Sequence, residues 1–139
     1  MTTGETDLAE LLWNMQPVLQ SSPFVFCSMK PGERFQAAGD AWGMMRETEG
    51  ITYIIPAEIA RRHGIPDQGQ WALITLAVHS SLSAVGFLAM VTTSLAMKNI
   101  SVNAISAYYH DHLFVRWDER HRAMDTLTEL SGRRGCTTD

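Results

Sequence analysis

The residues whose types could do chemistry lie together in one uncharged segment, Leu73–Gly86. His79, Ser80 and Ser81 stand where a run of strand-forming residues gives way to a helical pattern, so we predict a buried strand that turns sharply into a helix. The start of a helix presents free backbone N–H groups and the positive end of the helix dipole. The segment therefore predicts a site for a carboxylate or another small anion.

The same side chains admit two further interpretations. Helix capping alone explains Ser80 and Ser81, at about 1 kcal/mol of stabilisation. Serine, histidine and aspartate residue types would also permit acyl transfer. The chain has no Gly-x-Ser-x-Gly elbow, however, and the nearest base in the sequence is the adjacent His79, which is poorly placed to align with its own neighbours. We therefore predict no catalytic residues and no enzyme activity.

The cluster His110-Asp111-His112 suggests a metal site at first sight. Two histidines at positions i and i+2 of a strand point to the same side and could share a metal ion. A metal site needs three or four ligands, and no further Cys or His pair with suitable spacing is present. If Asp111 is the corner of a hairpin, the histidines flank a turn instead. We favour this structural interpretation and predict neither a metal nor a cofactor.

Composition restricts the class of partner. The chain has 139 residues, 45% of them hydrophobic and 19% charged, which is typical of a globular protein, and its net charge of −4 argues against a nucleic-acid surface. No charged residue occurs from Gln68 to Met97, but serines and threonines interrupt this stretch, so we expect no membrane span. The absence of a basic-then-apolar N-terminus and the placement of Cys27 and Cys136 favour the reducing cytoplasm.

Hydrophobic periodicity and turn residues predict the elements that must position these side chains. In the first half we expect a short helix within Leu8–Leu19 ended by Pro17, a strand over Phe24–Met29, a helix from a cap at Asp40 through Arg46, a strand over Ile51–Ile55 and a helix over Ala57–His63. In the second half we expect a strand over Trp71–Val78, a helix over Ser81–Lys98 ended by Asn99, strands over Ile100–Tyr108 and His112–Trp117, and a helix from a cap at Asp118 to Gly132.

The uncharged helix has apolar residues on more than one side. One stripe contains Leu82, Val85, Leu88 with Ala89, Thr92, and Leu95 with Ala96. Phe87, Met90, Val91 and Met97 lie off it. We therefore expect this helix to be buried on two faces, in a core and close to a subunit interface.

The order strand, helix, strand, strand, helix in the second half, with a weaker version in the first, predicts an α+β fold. We expect two units of the split βαβ type, tandem ferredoxin-like βαββαβ units with helices on one face of antiparallel sheets. The predicted boundaries are 1–67 for the N-terminal unit and 68–132 for the C-terminal unit, with a mobile tail over 133–139. Each unit is small, so we expect the two to pack together.

The segments Ala77–Gly86, Asn99–Ser106 and Tyr108–Val115 resemble the ACT-domain family, and more closely the small stand-alone proteins built from two ACT-like halves. The resemblance is strong from Trp71 to Leu130 and looser over Pro17–Ser28 and Gly50–Pro56. It implies a regulatory module that binds a free amino acid. In that family the ligand sits between the first strand–helix turn of one unit and the second strand of a neighbouring unit.

Carried over to this chain, the resemblance implies a ligand site on the turn and on the facing strand. The implied ligand-binding residues are His79, Ser80, Ser81, Leu82, Val85, Gly86, Ser101, Val102, Asn103, Ala104 and Ile105. Backbone N–H groups near Ser81 would hold the carboxylate, and strand carbonyls with the Asn103 amide oxygen would hold the ammonium. The turn has no acidic residue of its own, so a charge partner for the ammonium would have to come from Asp111 or from the first half.

These observations predict a regulatory amino-acid-binding protein that works as a homodimer. The alternative is a ligand-free interaction or scaffold protein that keeps the fold, in which side chains such as Phe87 or Leu82 would fill the turn.

Overall fold

A computed structural model of the protein describes residue 4 and residues 6–132. The predicted mobile tail over 133–139, with Cys136, lies outside the described residues. The helices are α1 (Leu8–Asn14), α2 (Ala57–Arg62), α3 (Phe87–Met97) and α4 (Arg120–Ser131), and the strands are β1 (Pro17–Leu19), β2 (Phe24–Met29), β3 (Gly43–Arg46), β4 (Ile51–Pro56), β5 (Trp71–Leu76), β6 (Val102–Ser106) and β7 (Asp111–Arg116). Two 3₁₀ segments cover Gln36–Asp40 and Trp117–Glu119.

The chain divides into two compact units. One, called here the inserted unit, comprises residues 21–71; the other, the split unit, combines residues 1–20 with residues 72–139. Among the described residues, no helix is long and apolar enough to cross a membrane.

The inserted unit is built on antiparallel strands in the order β3-β4-β2. Trp71 at the start of β5 pairs with Phe24 at the other edge of β2. Alternation along the strands turns Val25, Tyr53 and Ile55 to one face, where they pack with Ala60 of α2 in a small core.

The split unit has the strand order β1-β5-β7-β6, with α1, α3 and α4 packed on one another. Its core combines one face of the strands with the inner faces of the helices: Ile74, Leu76, Leu113, Val115, Val91, Leu95, Ala123 and Leu127. Strand β1 runs antiparallel to β5, with Leu19 opposite Ile74. The strand that completes the β5-α3-β6-β7-α4 succession therefore comes from the N-terminal end of the chain.

Helix α3 begins six residues later than predicted. Gly86 lies just before it with φ 90°, and Ser81 heads a turn in which its carbonyl accepts from the Ala84 N–H at 3.0 Å and its Oγ accepts from the Ser83 N–H at 3.1 Å. The predicted start at Ser81 is wrong because the left-handed conformation of Gly86 separates this turn from the helix.

Most of the apolar stripe predicted for this helix is wrong, although Leu95 is buried and Leu88 packs against the core. The buried residues are Phe87, Val91 and Leu95, at i, i+4 and i+8, whereas Val85 is 85% exposed. Met97 is 81% exposed, so within the described chain the helix buries one face rather than two.

Other predicted boundaries were wrong where pairing with distant residues decides the structure. Helix α1 ends at Asn14, and Pro17–Leu19 is a strand because it pairs with β5. The helix predicted from Asp40 to Arg46 is a 3₁₀ segment followed by β3, which pairs with β4. Asp118 does not cap α4, since it lies inside the preceding 3₁₀ segment.

Several local signals were read correctly. Strand β2 has the predicted bounds, and the predicted helix over Ala57–His63 is present as α2. Asn99 adopts φ 59° after α3, and Gly132 ends α4 with φ 72°. The hairpin of β6 and β7 is also present, with its corner at Ala107–His110.

Candidate functional site

A cavity of about 150 Å³ lies where the loop between β5 and α3 meets the hairpin of β6 and β7. Its lining comes from the loop, the first turn of α3 and the hairpin: Ser80, Ser81, Leu82, Ala84, Phe87, Leu88, Ser106, Ala107 and Asp111. All of these residues belong to the split unit.

Asp111 provides the charge of the cavity. It is the first residue of β7, and strand alternation places it on the same face as the core residues Leu113 and Val115. The residue is only 6% exposed, and its carboxylate accepts hydrogen bonds from Ser80 Oγ at 2.9 Å and Ser106 Oγ at 2.6 Å. A carboxylate has about four acceptor positions, so these two hydroxyls leave room for further donors.

The first turn of α3 lies on the same cavity through Phe87 and Leu88. Backbone N–H groups in the first turn of a helix have no partner within the helix, and no side chain caps α3. The positive end of the helix dipole and the Asp111 carboxylate thus border one small space. Such a pair of opposite charges complements a zwitterion: the carboxylate accepts from an ammonium group, and the N–H groups donate to an anion.

Gly4 packs closely against the loop. A Cβ atom added to Gly4 would lie 2.5 Å from Ser81 N and 2.8 Å from Ser80 O. A Cβ atom added to Gly86 would lie 3.8 Å from Leu8 Cδ2. Only glycine at position 4 fits this approach, so Gly4 lies directly against the Ser80–Ser81 peptide that forms one wall of the cavity.

The histidines around the cavity have structural partners. His110 donates from Nδ1 to the Val78 carbonyl at 3.3 Å, and His112 Nδ1 lies 2.9 Å from Thr75 Oγ1. The ring of His79 contacts that of Tyr109, with centroids 5.2 Å apart. Among the described residues, no group of three His, Cys, Asp or Glu side chains could hold a metal ion.

Burial lowers the pKa of His112, the neighbouring His110 lowers it further, and Asp111 opposes both effects. The imidazole is therefore held toward its neutral form, in which one ring nitrogen donates and the other accepts.

The structure brings together part of the predicted ligand site. Ser80, Ser81 and Leu82 line the cavity, and Gly86 lies at the start of α3. His79 packs with the tyrosines, and Val85 is exposed to solvent.

The predicted second wall lies elsewhere. Ser101 precedes β6, and Val102, Asn103, Ala104 and Ile105 lie on that strand, at the end of the strand order of the split unit. In this cavity the facing wall is formed by Ser106, Ala107 and Asp111. Ser106 is absent from the predicted set, and the sequence named Asp111 only as a possible charge partner for the ammonium. The opposition of these two residues across the hairpin could have indicated both.

Family comparisons agree with this architecture. Two ACT-domain family models match the chain, one over residues 3–72 and the other over residues 69–129. The chain belongs to the ACT-domain family. Its two ACT-type matches tile the sequence, as expected for a tandem ACT protein with ferredoxin-like units. ACT domains generally bind amino acids and serve in regulation.

Solved structures similar to this ACT protein include one of unknown function from Vibrio cholerae, described as a possible transport protein. It is 39% identical, with a TM-score of 0.76, and the match covers 85% of this chain and 91% of that one. A protein from Agrobacterium tumefaciens is 15% identical with a TM-score of 0.66, covering 84% and 89% of the two chains.

The α and β subunits of aspartokinase are 11% identical with a TM-score of 0.58, covering 84% of this chain and 97% of that one. The last two comparisons show the fold alone. No protein of curated function matches the chain significantly.

Proposed function

We propose that this ACT protein is a regulatory module that binds a small α-amino acid in the cavity bordered by Asp111 and the start of α3. The observation that carries the proposal is the juxtaposition of a buried carboxylate with uncapped helix N–H groups on one space. The ammonium of the ligand donates to Asp111, and its carboxylate accepts from the N–H groups of the first turn of α3.

The size of the cavity favours the smallest amino acids. Its 150 Å³ correspond to about five water molecules, at about 30 Å³ each in the liquid. Glycine, alanine and serine, which have no side chain or a short one, suit such a volume best. Longer side chains would have to displace Leu82, which is 68% exposed and can move.

A second copy of the chain would complete the site in the manner of the family. Strand β6 lies at the end of the strand order of the split unit, so its outer edge is available to another strand. Ser101–Ile105 of a partner could then form the additional wall that the sequence predicts, with Asn103 facing the ligand. We accordingly propose a homodimer in the cytoplasm.

The chemistry of the loop favours binding over catalysis. Ser80 donates its hydroxyl hydrogen directly to Asp111, and the His79 ring contacts Tyr109. A serine bonded to a carboxylate in this way has no imidazole base to activate it as a nucleophile. The function proposed here therefore needs neither a catalytic residue nor a cofactor.

Isothermal titration calorimetry with glycine, alanine, serine and leucine tests the proposal. We expect saturable binding of one of the three small amino acids, weakened 10- to 100-fold by Asp111→Asn because an ionic hydrogen bond contributes about 1.5–3 kcal/mol. Asp125→Asn, at an exposed position of α4, is the matched control and should leave affinity unchanged. If none of these amino acids binds at millimolar concentration, the ligand-free scaffold becomes the better interpretation.

A further inference from the structure

The inserted unit contains a separate groove of about 270 Å³ beside α2 and the loop that follows it. All of its lining residues fall between positions 25 and 70, so the groove belongs to the inserted unit by itself. It shares no lining residue with the Asp111 cavity.

The floor of the groove is apolar and well packed. Val25 and Ala60 are each 3% exposed, and Ile65 packs against the same small core. The N–H of Ile65 donates to the Ala60 carbonyl at 2.9 Å, which fixes the loop on the end of α2. An aliphatic group laid on this floor would contact side chains that are already held in place.

The rim carries a cation and an anion with capacity for further partners. Among the described residues, Arg61 makes no side-chain hydrogen bond or ion pair, whereas the adjacent Arg62 is bound to Glu58 at 2.8 Å. Asp67 accepts from the Gly69 N–H at 2.9 Å and from Gln70 Nε2 at 3.5 Å, which leaves acceptor positions on its carboxylate.

We propose that this groove is a second ligand site, for an α-amino acid with a branched aliphatic side chain. The ligand carboxylate pairs with the Arg61 guanidinium, its ammonium with Asp67, and its side chain covers the floor at Val25, Ala60 and Ile65. A simple carboxylate would pair with Arg61 but would leave the Asp67 carboxylate beside it as a repelling charge, so the pair of opposite charges favours a zwitterion.

The size of the groove agrees with that class. Its volume of about 270 Å³ exceeds the 150 Å³ of the Asp111 cavity, so it has more room for a branched side chain of four carbon atoms. The two sites would therefore sense amino acids of different size.

Titration of the ¹⁵N-labelled protein with leucine, followed by NMR, tests the proposal. The matched control for Arg61→Gln is Arg46→Gln, because Arg46 is exposed on β3 of the inserted unit and does not line the groove. We expect leucine to shift the amide signals of Ala60 and Ile65, with affinity at least tenfold weaker in Arg61→Gln and unchanged in Arg46→Gln. The deaminated analogue 4-methylpentanoate should bind at least tenfold more weakly than leucine, because it lacks the ammonium.

Three outcomes would overturn the second site. They are the absence of shifts at millimolar leucine, equal weakening by both arginine variants, and loss of leucine binding in Asp111→Asn with the Arg61 variant unaffected. The last result would place leucine in the Asp111 cavity. Failure of small amino acids to bind at Asp111 would leave the groove untouched, so the two proposals fail separately.

Discussion

Asp111 and His112 are adjacent on β7 and face opposite sides of the strand. Asp111 turns toward the helices and accepts hydrogen bonds from two hydroxyl groups, while His112 turns to the other face and lies against Thr75. One dipeptide thus places a buried anion in the candidate site and an imidazole held toward neutrality behind it.

The depressed pKa of His112 predicts a pH dependence of stability. Since the folded protein binds the proton less readily than the unfolded chain does, the unfolded state gains protons as the pH falls below the ordinary histidine pKa of about 6.5. We expect the free energy of unfolding to decrease as the pH is lowered from 7.5 through this range. Replacement by His112→Gln should flatten that part of the profile, measured by urea unfolding at a series of pH values.

His121→Gln provides the control for this prediction, because His121 is exposed on α4. Its pH profile should follow that of the original protein. A His112→Gln profile as steep as that of the unmodified protein would show that the acid sensitivity lies in other groups.

At the scale of elements, the start of α3 is determined by packing in the core and not by the local sequence alone. The serine at position 81 is a strong helix-start signal, yet it heads an isolated turn. Gly86 adopts a left-handed conformation, and Phe87, directly after it, is the first buried residue of α3. The buried spacing Phe87, Val91 and Leu95 is present in the sequence, but an equally regular stripe through Leu82 and Val85 competes with it.

The face of β7 on which Asp111 lies depends on where the turn of the hairpin is placed. If the turn is placed at Asp111, the alternation of side chains along β7 cannot be assigned. With the corner at Ala107–His110, as observed, Asp111 falls into the alternation of Leu113 and Val115 and opposite Ser106. Sequence patterns located this hairpin but not its register, because a shift of one residue reverses the face of every side chain.

Strands β1 and β3 were missed for a related reason. Both are short, and each is extended because it pairs with another strand. Strand β1 pairs with β5, which is distant in the sequence, and β3 pairs with β4 across a turn. Their own residues carry helix-compatible patterns, so single-sequence propensity could not assign them. Terminators such as Asn99 and Gly132 were predictable because their conformation depends on a few local atoms.

The left-handed conformation at the start of α3 predicts a specific cost of substitution. Gly86→Ala should lower the free energy of unfolding by about 1–2 kcal/mol, since a Cβ atom disfavours positive φ by that amount. It should also weaken ligand binding, because the first turn of α3 lines the cavity. Urea unfolding and calorimetry measure the two effects.

Asn99→Gly is the companion variant at the other end of the helix. Its φ of 59° suits glycine, so we expect no loss of stability. A Gly86→Ala variant as stable as the original protein would mean that α3 can begin without a left-handed residue.

At the scale of the molecule, the split unit includes a strand, β1, from the N-terminal part of the chain, which pairs with β5. The α1–β1 segment contributes Leu11 and Met15 to the core of this unit, and Gly4 lies against the loop that lines the cavity. Residues on both sides of the inserted unit therefore build one candidate site. This explains why two family matches that tile the sequence in order need not coincide with compact units in space.

The proposed homodimer belongs to this scale, and Val85 offers the sharpest test of it. Val85 is 85% exposed in an uncharged loop, and apolar side chains so exposed are often covered by a partner. We expect Val85→Lys to convert a dimer to a monomer in light scattering, because a lysine buried in an apolar contact would lose its hydration without a counter-charge. Leu82 is unsuitable for this test, since it lines the cavity itself.

Met44→Lys is the matched control, because Met44 is also an exposed apolar residue but lies on β3 of the inserted unit. It should leave the dimer intact if the interface is formed by the loop and the edge of β6. A monomeric unmodified protein at micromolar concentration would refute the dimer. Dissociation by Met44→Lys and not by Val85→Lys would show that the interface lies at β3. Residues 101–105 of a partner could then not form the second wall of the ligand site.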